Sequence, residues 1–152
     1  MIGVISDTHG LLRPEALNAL RGAEHILHAG DVGDITILDS LRAIAPVTAI
    51  RGNIDTNGPT AQLPATQVIE LSGHLIYMLH SIAELDLKPE VAGISVVIFG
   101  HSHKPSTDIH KGVLYLNPGS AGPRRFKLPI TVAHLYLDAS PRAEIITLAV
   151  ES

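Results

Sequence analysis

The sequence predicts an α/β fold in which two mixed β-sheets pack face to face with helices outside them, an α/β/β/α sandwich formed by a single domain over residues 1–152. Three observations predict it. Short apolar runs alternate with helix-period segments as far as Ile50, the pattern of βαβ units with right-handed crossovers. From Gln67 onward strand signals follow one another without long helices, which points to an antiparallel half. The strand runs are apolar enough to need cover on both faces, which two packed sheets flanked by helices would provide.

The elements follow in order. Ile2 to Ser6 is an apolar strand, and Pro14 suits the first turn of a helix through Leu20, because a residue without an N–H loses nothing there. His25 to Ala29 repeats the strand signal. Ile35 to Ile44 carries apolar residues at helical spacing, and Pro46 closes that helix before a third strand, Val47 to Ile50. Gln67 to Leu71 and His74 to Leu79 flank Ser72-Gly73, a hairpin turn signal. Ser95 to Phe99, Val113 to Leu116, Ile130 to Asp138 and Ala143 to Val150 continue the strand-rich half, with Ala139-Ser140-Pro141 as its last turn.

Composition narrows the function. At 152 residues, 45% of them hydrophobic, the chain fits one domain with a genuine core and leaves no room for a second catalytic domain. No apolar run approaches the roughly 20 residues of a membrane span and no basic leader precedes the first strand, so a cytoplasmic protein is expected. Without cysteine, any metal must be held by oxygen and imidazole nitrogen, and a cysteine nucleophile is excluded. A net charge of −4 with scattered basic residues argues against duplex nucleic acid and for a small substrate. A homo-oligomer suits so short a chain, but no face is singled out for it.

Five polar clusters interrupt this apolar sequence: Asp7-Thr8-His9, Gly30-Asp31, Gly52-Asn53-Ile54-Asp55, Leu79-His80 and Gly100-His101-Ser102-His103. Each follows a predicted strand, so one sheet edge could gather Asp7, His9, Asp31, Asn53, His80, His101 and His103. Two carboxylates, one amide and four imidazoles are the inventory of a two-metal site. Glycine precedes three of the clusters, where a missing side chain lets the backbone approach a ligand closely.

The order D-x-H, G-D, G-N-x-D, H, G-H-x-H resembles the calcineurin-like metallophosphoesterases, and the short chain looks like their small bacterial and archaeal phosphodiesterase branch. Asn117-Pro118-Gly119-Ser120 followed by Pro123-Arg124 resembles that branch's C-terminal signature, so the likeness spans residues 5 to 125. Any one cluster arises often by chance; all of them in family order are specific.

The resemblance implies that Asp7, His9, Asp31 and His103 hold one divalent cation and that Asp31, Asn53, His80 and His101 hold the other. Asp31 is the natural bridge, since a carboxylate has two oxygens and an imidazole one free nitrogen. It further implies a phosphodiesterase in which two cations about 3.5 to 4 Å apart lower the pKa of a shared water, whose hydroxide attacks phosphorus in line. Asp31, Asn53 and His80 are then the catalytic residues, and Asn53 and Arg124 bind substrate, the Asn53 NH2 pointing at a phosphate oxygen. The donor set suits Mn²⁺ first, with Ni²⁺, Fe²⁺ or Zn²⁺ compatible, and argues against copper(I).

Two departures from the family pattern stand out. Ile54 occupies the position where many relatives have histidine and the small branch often has cysteine. Isoleucine cannot protonate a leaving oxygen, so alkyl esters should turn over slowly and aryl esters better. His80-Ser81-Ile82 replaces the usual His-Gly, keeping the ligand and making the pocket rim more apolar. Arg51, Lys104, Arg124 and Arg125 flank motif segments and either reach a substrate anion or pair at the surface, Arg124 being the best placed in the signature. Asp55 either orients a ligand or forms a turn. His25, His28, His74, His110 and His134 match no motif and read as structural, while Asp34, Asp39, Glu84 and Glu90 read as solvated charges. Two other functions remain open: a phosphomonoesterase or nucleotidase, since the same metal pair attacks either ester class, and a weakly active scaffold similar to a related retromer subunit.

Overall fold

A computed structural model describes residues 1–150; Glu151 and Ser152, the last two residues of the expected 1–152 domain, lie outside the described residues. The first half follows the expected βαβ order. Strand β1 (Ile2–Ile5) leads through helix α1 (Pro14–Leu20) to β2 (His25–His28), and helix α2 (Thr36–Arg42) leads to β3 (Val47–Ala49). These three strands are parallel neighbours, with Ile5 beside His28 and His28 beside Ala49, so their carboxyl ends lie side by side.

Side chains alternate across β1. Ile2 and Val4 enter a core between the two sheets, with Leu27, Met78, Ile98 and Leu135, whereas Ile5 faces a second core under α1 and α2, with Leu20, Ile26, Leu38 and Leu41. Gly3 belongs to the helix face, where an added Cβ would lie 2.7 Å from Leu20 Cδ2, so the missing side chain lets α1 settle onto the sheet.

Strands β4 (Thr66–Leu71) and β5 (His74–Leu79) form the expected hairpin, and both turn residues, Ser72 and Gly73, have positive φ, as a tight hairpin turn requires. Beyond it the expected pair of mixed sheets is found, but the antiparallel half expected from Gln67 onward needs correction on two counts. The second sheet is mixed: β5, β6 (Ile94–Ile98) and β8 (Val113–Asn117) run parallel at its centre, and only β4 and β7 (Ser106–His110) are antiparallel, at its edges. Strands β9 (Thr131–Tyr136) and β10 (Arg142–Thr147) leave this sheet altogether. They return to the first, where β9 lies antiparallel to β1 and covers it on the side away from β2. The sheet orders are therefore β10-β9-β1-β2-β3 and β4-β5-β6-β8-β7. A short helix α3 (Pro89–Ala92) lies near β6, while Leu85 and Leu87 pack against Tyr77, Leu79 and Val97 on the outer face of the second sheet.

Candidate metal centre

The carboxyl ends of β1, β2, β3, β5 and β6 meet at one edge of the sandwich, and the polar clusters stand there. The loops behind β1 and β2 continue the sheet as a ladder: Asp7 N donates to Gly30 O (3.0 Å), His9 N to Asp31 O (2.9 Å) and Gly10 N to Val32 O (2.9 Å). Five of the seven sequence-derived ligand residues adopt positive φ: Asp7 (56°), His9 (47°), Asp31 (55°), His101 (72°) and His103 (63°). Left-handed backbone costs an L-residue about 1–2 kcal/mol, and its concentration at these positions marks a site whose geometry outweighs local preference.

Each carboxylate has one oxygen fixed by protein donors and the other turned toward imidazoles. Asp7 Oδ2 accepts from Ser6 Oγ (2.6 Å) and His101 N (3.1 Å), while Oδ1 lies 3.4 Å from His103 Nε2 and 3.7 Å from both His9 Nε2 and His80 Nε2. Asp31 Oδ1 accepts from Ile54 N (3.0 Å), while Oδ2 lies 3.2 Å from His80 Nε2 and 3.4 Å from His9 Nε2. His80 Nδ1–H donates to Ala29 O (2.7 Å), so Nε2 presents a lone pair to the Asp31 carboxylate unless a proton or cation lies between them.

One terminal atom of the Asn53 carboxamide lies 3.0–3.1 Å from both Asp31 oxygens and from His80 Nε2. The amide nitrogen suits that position as a donor to the two Asp31 oxygens, and the amide oxygen suits it when a cation is shared with these groups. His101 is exposed, its ring centroid 5.3 Å from that of His80, and it lines a cleft of about 230 Å³ with Asn53, His80, Ser81, Arg51 and Glu84.

The electrostatics follow from this packing. Burial works to raise the pKa of Asp7, but His103, His9 and Ser6 outweigh it and hold the carboxyl well below the usual carboxylate range. For Asp31 burial is likewise overcome, by His80 and the Ile54 N–H, and its pKa is also lowered. Asp7 raises the pKa of His9 against the effect of burial; burial lowers that of His80, but Asp31, the Ala29 carbonyl and Asp7 raise it overall. Both carboxylates therefore stay ionised, and the imidazoles facing them attract positive charge.

The donor set fits metal. Asp7 Oδ1, His9 Nε2 and His103 Nε2 are buried and have no hydrogen-bond partner. Such orphaned groups are costly unless something binds them, and three acceptors converging on one point are satisfied by a cation. Asp7, His9 and His103 bring ligand atoms within 4.8 Å of one another, and so do Asp7, Asp31 and His80. The second group differs from the expected division, because Asp7 reaches toward His80 as well as toward His9 and His103.

The glycines expected to relieve crowding do so. A Cβ on Gly52 would overlap Asp31 Oδ1 and N, one on Gly100 would strike Ser6 Oγ and Asp7 Oδ2, and one on Gly30 would lie 2.7 Å from His80 Nδ1. The 117–120 signature holds two of the ligand loops: Asn117 Nδ2 donates to Gly100 O (3.2 Å) and Ser102 Oγ (3.1 Å), and Ser120 Oγ donates to Asp7 O (3.0 Å). Of the two readings of Asp55, ligand-loop orientation is the better description. Its carboxylate is buried and accepts from Val32 N (3.1 Å), Gly33 N (3.0 Å) and Gly52 N (2.8 Å), locking the loop after Asp31 to the one before Asn53.

Sequence reasoning missed three features. His28 is fully buried, with Nδ1 accepting from Gly30 N (3.2 Å) and Nε2 3.1 Å from Thr8 Oγ1, which itself donates to Val32 O (2.8 Å). Burial pushes its pKa down to about 4, so a neutral ring ties the loops of Asp7 and Asp31 together. The signal was its place in β2, three residues before Asp31. Glu84, exposed as its reading as a solvated charge expects, also lines the cleft. Arg124 is engaged within its own loop, donating from Nη1 to Leu128 O (3.2 Å), and Arg125 is the arginine whose charge bears on His9. The structural readings of three other histidines fit their bonds: His25 with Thr48 Oγ1, His74 with Ser95 Oγ and Asp138 O, and His134 with Ala19 O.

Comparison with known proteins gives the same direction. A family model described as the calcineurin-like phosphoesterase superfamily domain matches residues 1–140. A protein of Methanocaldococcus jannaschii named a probable metallophosphoesterase is 37% identical over 133 residues, 79% of this chain and 67% of its own. Among solved structures, an archaeal protein described as a novel phosphodiesterase has a TM-score of 0.78 at 22% identity, covering 95% of this chain and 99% of its own. Vps29 of Entamoeba histolytica, solved with zinc, has a TM-score of 0.70 at 23% identity, covering 96% and 98%. At these identities the two structural matches speak for the fold.

Proposed function

This chain belongs to the calcineurin-like phosphoesterase superfamily, and from that premise we propose that it is a metal-dependent phosphodiesterase with a dinuclear centre. The observation that carries the reading is the convergence of Asp7 Oδ1, His9 Nε2 and His103 Nε2, buried and unpartnered, beside Asp31, Asn53 and His80. Asp7, His9 and His103 would hold one divalent ion, Asn53, His80 and His101 the other, with Asp31 shared between them. Bound there, the two ions, Mn²⁺ first among the candidates, supply Lewis acidity toward a phosphoryl oxygen and a water of lowered pKa.

The chain's own groups position the substrate around that chemistry. Ala29 O fixes the His80 tautomer and leaves Nε2 facing the site. The carboxamide of Asn53 can turn its oxygen to a cation and its NH2 to a phosphate oxygen. Arg125 contributes positive charge near His9, favouring an anionic ester. Ile54 contributes only its backbone N–H, to Asp31, so no side chain at that position protonates the departing oxygen.

The test is hydrolysis of bis(p-nitrophenyl) phosphate and of p-nitrophenyl phosphate by chelator-stripped protein, with and without Mn²⁺, alongside Asp31→Asn. Diester cleavage that returns with Mn²⁺ and is lost in the variant supports the proposal. Preference for the monoester would favour a phosphomonoesterase or nucleotidase instead. Absence of hydrolysis with any divalent ion would bring forward a scaffold role, a reading favoured by the exposed Ile54 in place of a catalytic group.

A further inference from the structure

Resting on the phosphoesterase reading, we propose that Leu11, Ile54, Ile82 and Phe126 form an apolar rim that seats the alcohol of the substrate, so that this enzyme acts on phosphate esters of aromatic or hydrocarbon alcohols. Single exposed apolar residues are ordinary on a protein surface; several placed beside one polar site are informative. These four are large and exposed, at 38%, 41%, 38% and 89%, and each follows a residue of the site within two positions: His9, Asn53, His80 and Arg125.

Backbone contacts set the loops that carry them against that floor. Ile54 N donates to Asp31 Oδ1 (3.0 Å), so its side chain departs from a point next to a ligand carboxylate. Leu11 N donates to Thr8 O (2.9 Å), closing the turn that carries His9. Ile82 follows Ser81, which lines the cleft beside His80. The loop carrying Phe126 begins on the site itself: Ala121 N donates to Ser6 O (3.1 Å), and Gly122 sits so tightly on the carbonyls of Asp7 and Thr8 that a Cβ there would overlap both. Phe126 has φ 53°, a conformation that a bulky aromatic residue adopts only at a cost, and it presents its ring almost wholly to solvent. A charged floor with an apolar edge matches a ligand of the same polarity: the phosphate below, an apolar group above.

The experiment holds the leaving group constant. The Mn²⁺-loaded protein is assayed on methyl p-nitrophenyl phosphate and phenyl p-nitrophenyl phosphate, and its Kd for methylphosphonate and phenylphosphonate is measured by calorimetry. The expected result is a preference of about tenfold for the phenyl compound in both pairs, reduced in Phe126→Ser and further in Leu11→Ser/Phe126→Ser. Both side chains are exposed, so the fold should tolerate these changes, and circular dichroism checks it. Ratios within about twofold in the wild type, or unaltered in the variants, overturn the rim. If neither ester is cleaved the hydrolase reading fails by itself, while the phosphonate affinities still decide the rim: equal values overturn it and a phenyl preference supports it.

Discussion

Replacing Asp55 by Asn removes one charge and one acceptor from the junction that carries both Asp31 and Asn53. The wild-type carboxylate accepts from Val32 N and Gly52 N through Oδ2, at 3.1 and 2.8 Å, and from Gly33 N through Oδ1, at 3.0 Å. An asparagine that keeps its oxygen toward Val32 and Gly52 turns its NH2 against the Gly33 N–H, so one bond becomes a donor facing a donor and the other two lose their charge. A hydrogen bond to a charged group is worth about 1.5–3 kcal/mol, and an unsatisfied donor costs about 1–3 kcal/mol. Allowing for partial relaxation, Asp55→Asn should destabilise the metal-free protein by about 2–4 kcal/mol. For a chain of this size that corresponds to a Tm lower by roughly 5–15 °C. Urea unfolding in chelator measures the stability, and calorimetry with Mn²⁺ measures the site, whose affinity should fall because both ligand loops shift. A variant within about 0.5 kcal/mol of wild type, with unchanged Mn²⁺ affinity, would refute the assignment of Asp55 as the clamp between these loops.

Gly52→Ala should abolish Mn²⁺ binding at the Asp31 side, since the new Cβ occupies the space of Asp31 Oδ1 and N; calorimetry with wild-type affinity would contradict the packing. Metal affinity should rise with pH: His9 and His80 have raised pKa values, so in the metal-free chain they stay protonated above the ordinary imidazole value near 6.5. Their contribution to apo-protein stability is complete below that value and fades as pH rises through the folded value, and a cation must displace those protons. Mn²⁺ titrations in buffers of different ionisation enthalpy should therefore show proton release that persists above pH 6.5 and declines as pH rises through the folded values of these imidazoles, and a flat pH response would count against it. Ile54→His should narrow the gap between aryl and alkyl esters by about 10²-fold or more, read as the slope of log kcat/KM against leaving-group pKa; an unchanged slope would sink the leaving-group explanation.

The first half of the fold was legible because its signals are local. Apolar runs, Pro14 at a helix start and Pro46 after a helix end all act within a few residues of themselves. The destination of β9 was not, because it depends on β1: Ile2 and Val4 need a partner strand on the side away from β2, and Ala133 and Leu135 supply it from more than a hundred residues away. No local pattern reports such a pairing. At the site, the ligand types and their order were readable, since each stands in a short polar cluster directly after a strand. The supports were legible only in part: the place of His28 before Asp31, the two readings of Asp55 and the 117–120 signature marked them, but their partners stand in other loops, at Thr8 Oγ1, at Val32 and Gly33, and at Asp7 O, where no local pattern points. Arg124 and Arg125 are adjacent in sequence, and only the turn of their loop decides that Arg125 bears on His9.

The most direct test of the proposed dinuclear centre is anomalous diffraction from crystals grown with Mn²⁺. The account predicts two peaks at the carboxyl edge of the sandwich, one bound by Asp7, His9 and His103, the other by Asn53, His80 and His101, with Asp31 touching both. A single peak, or peaks away from these seven side chains, would contradict it.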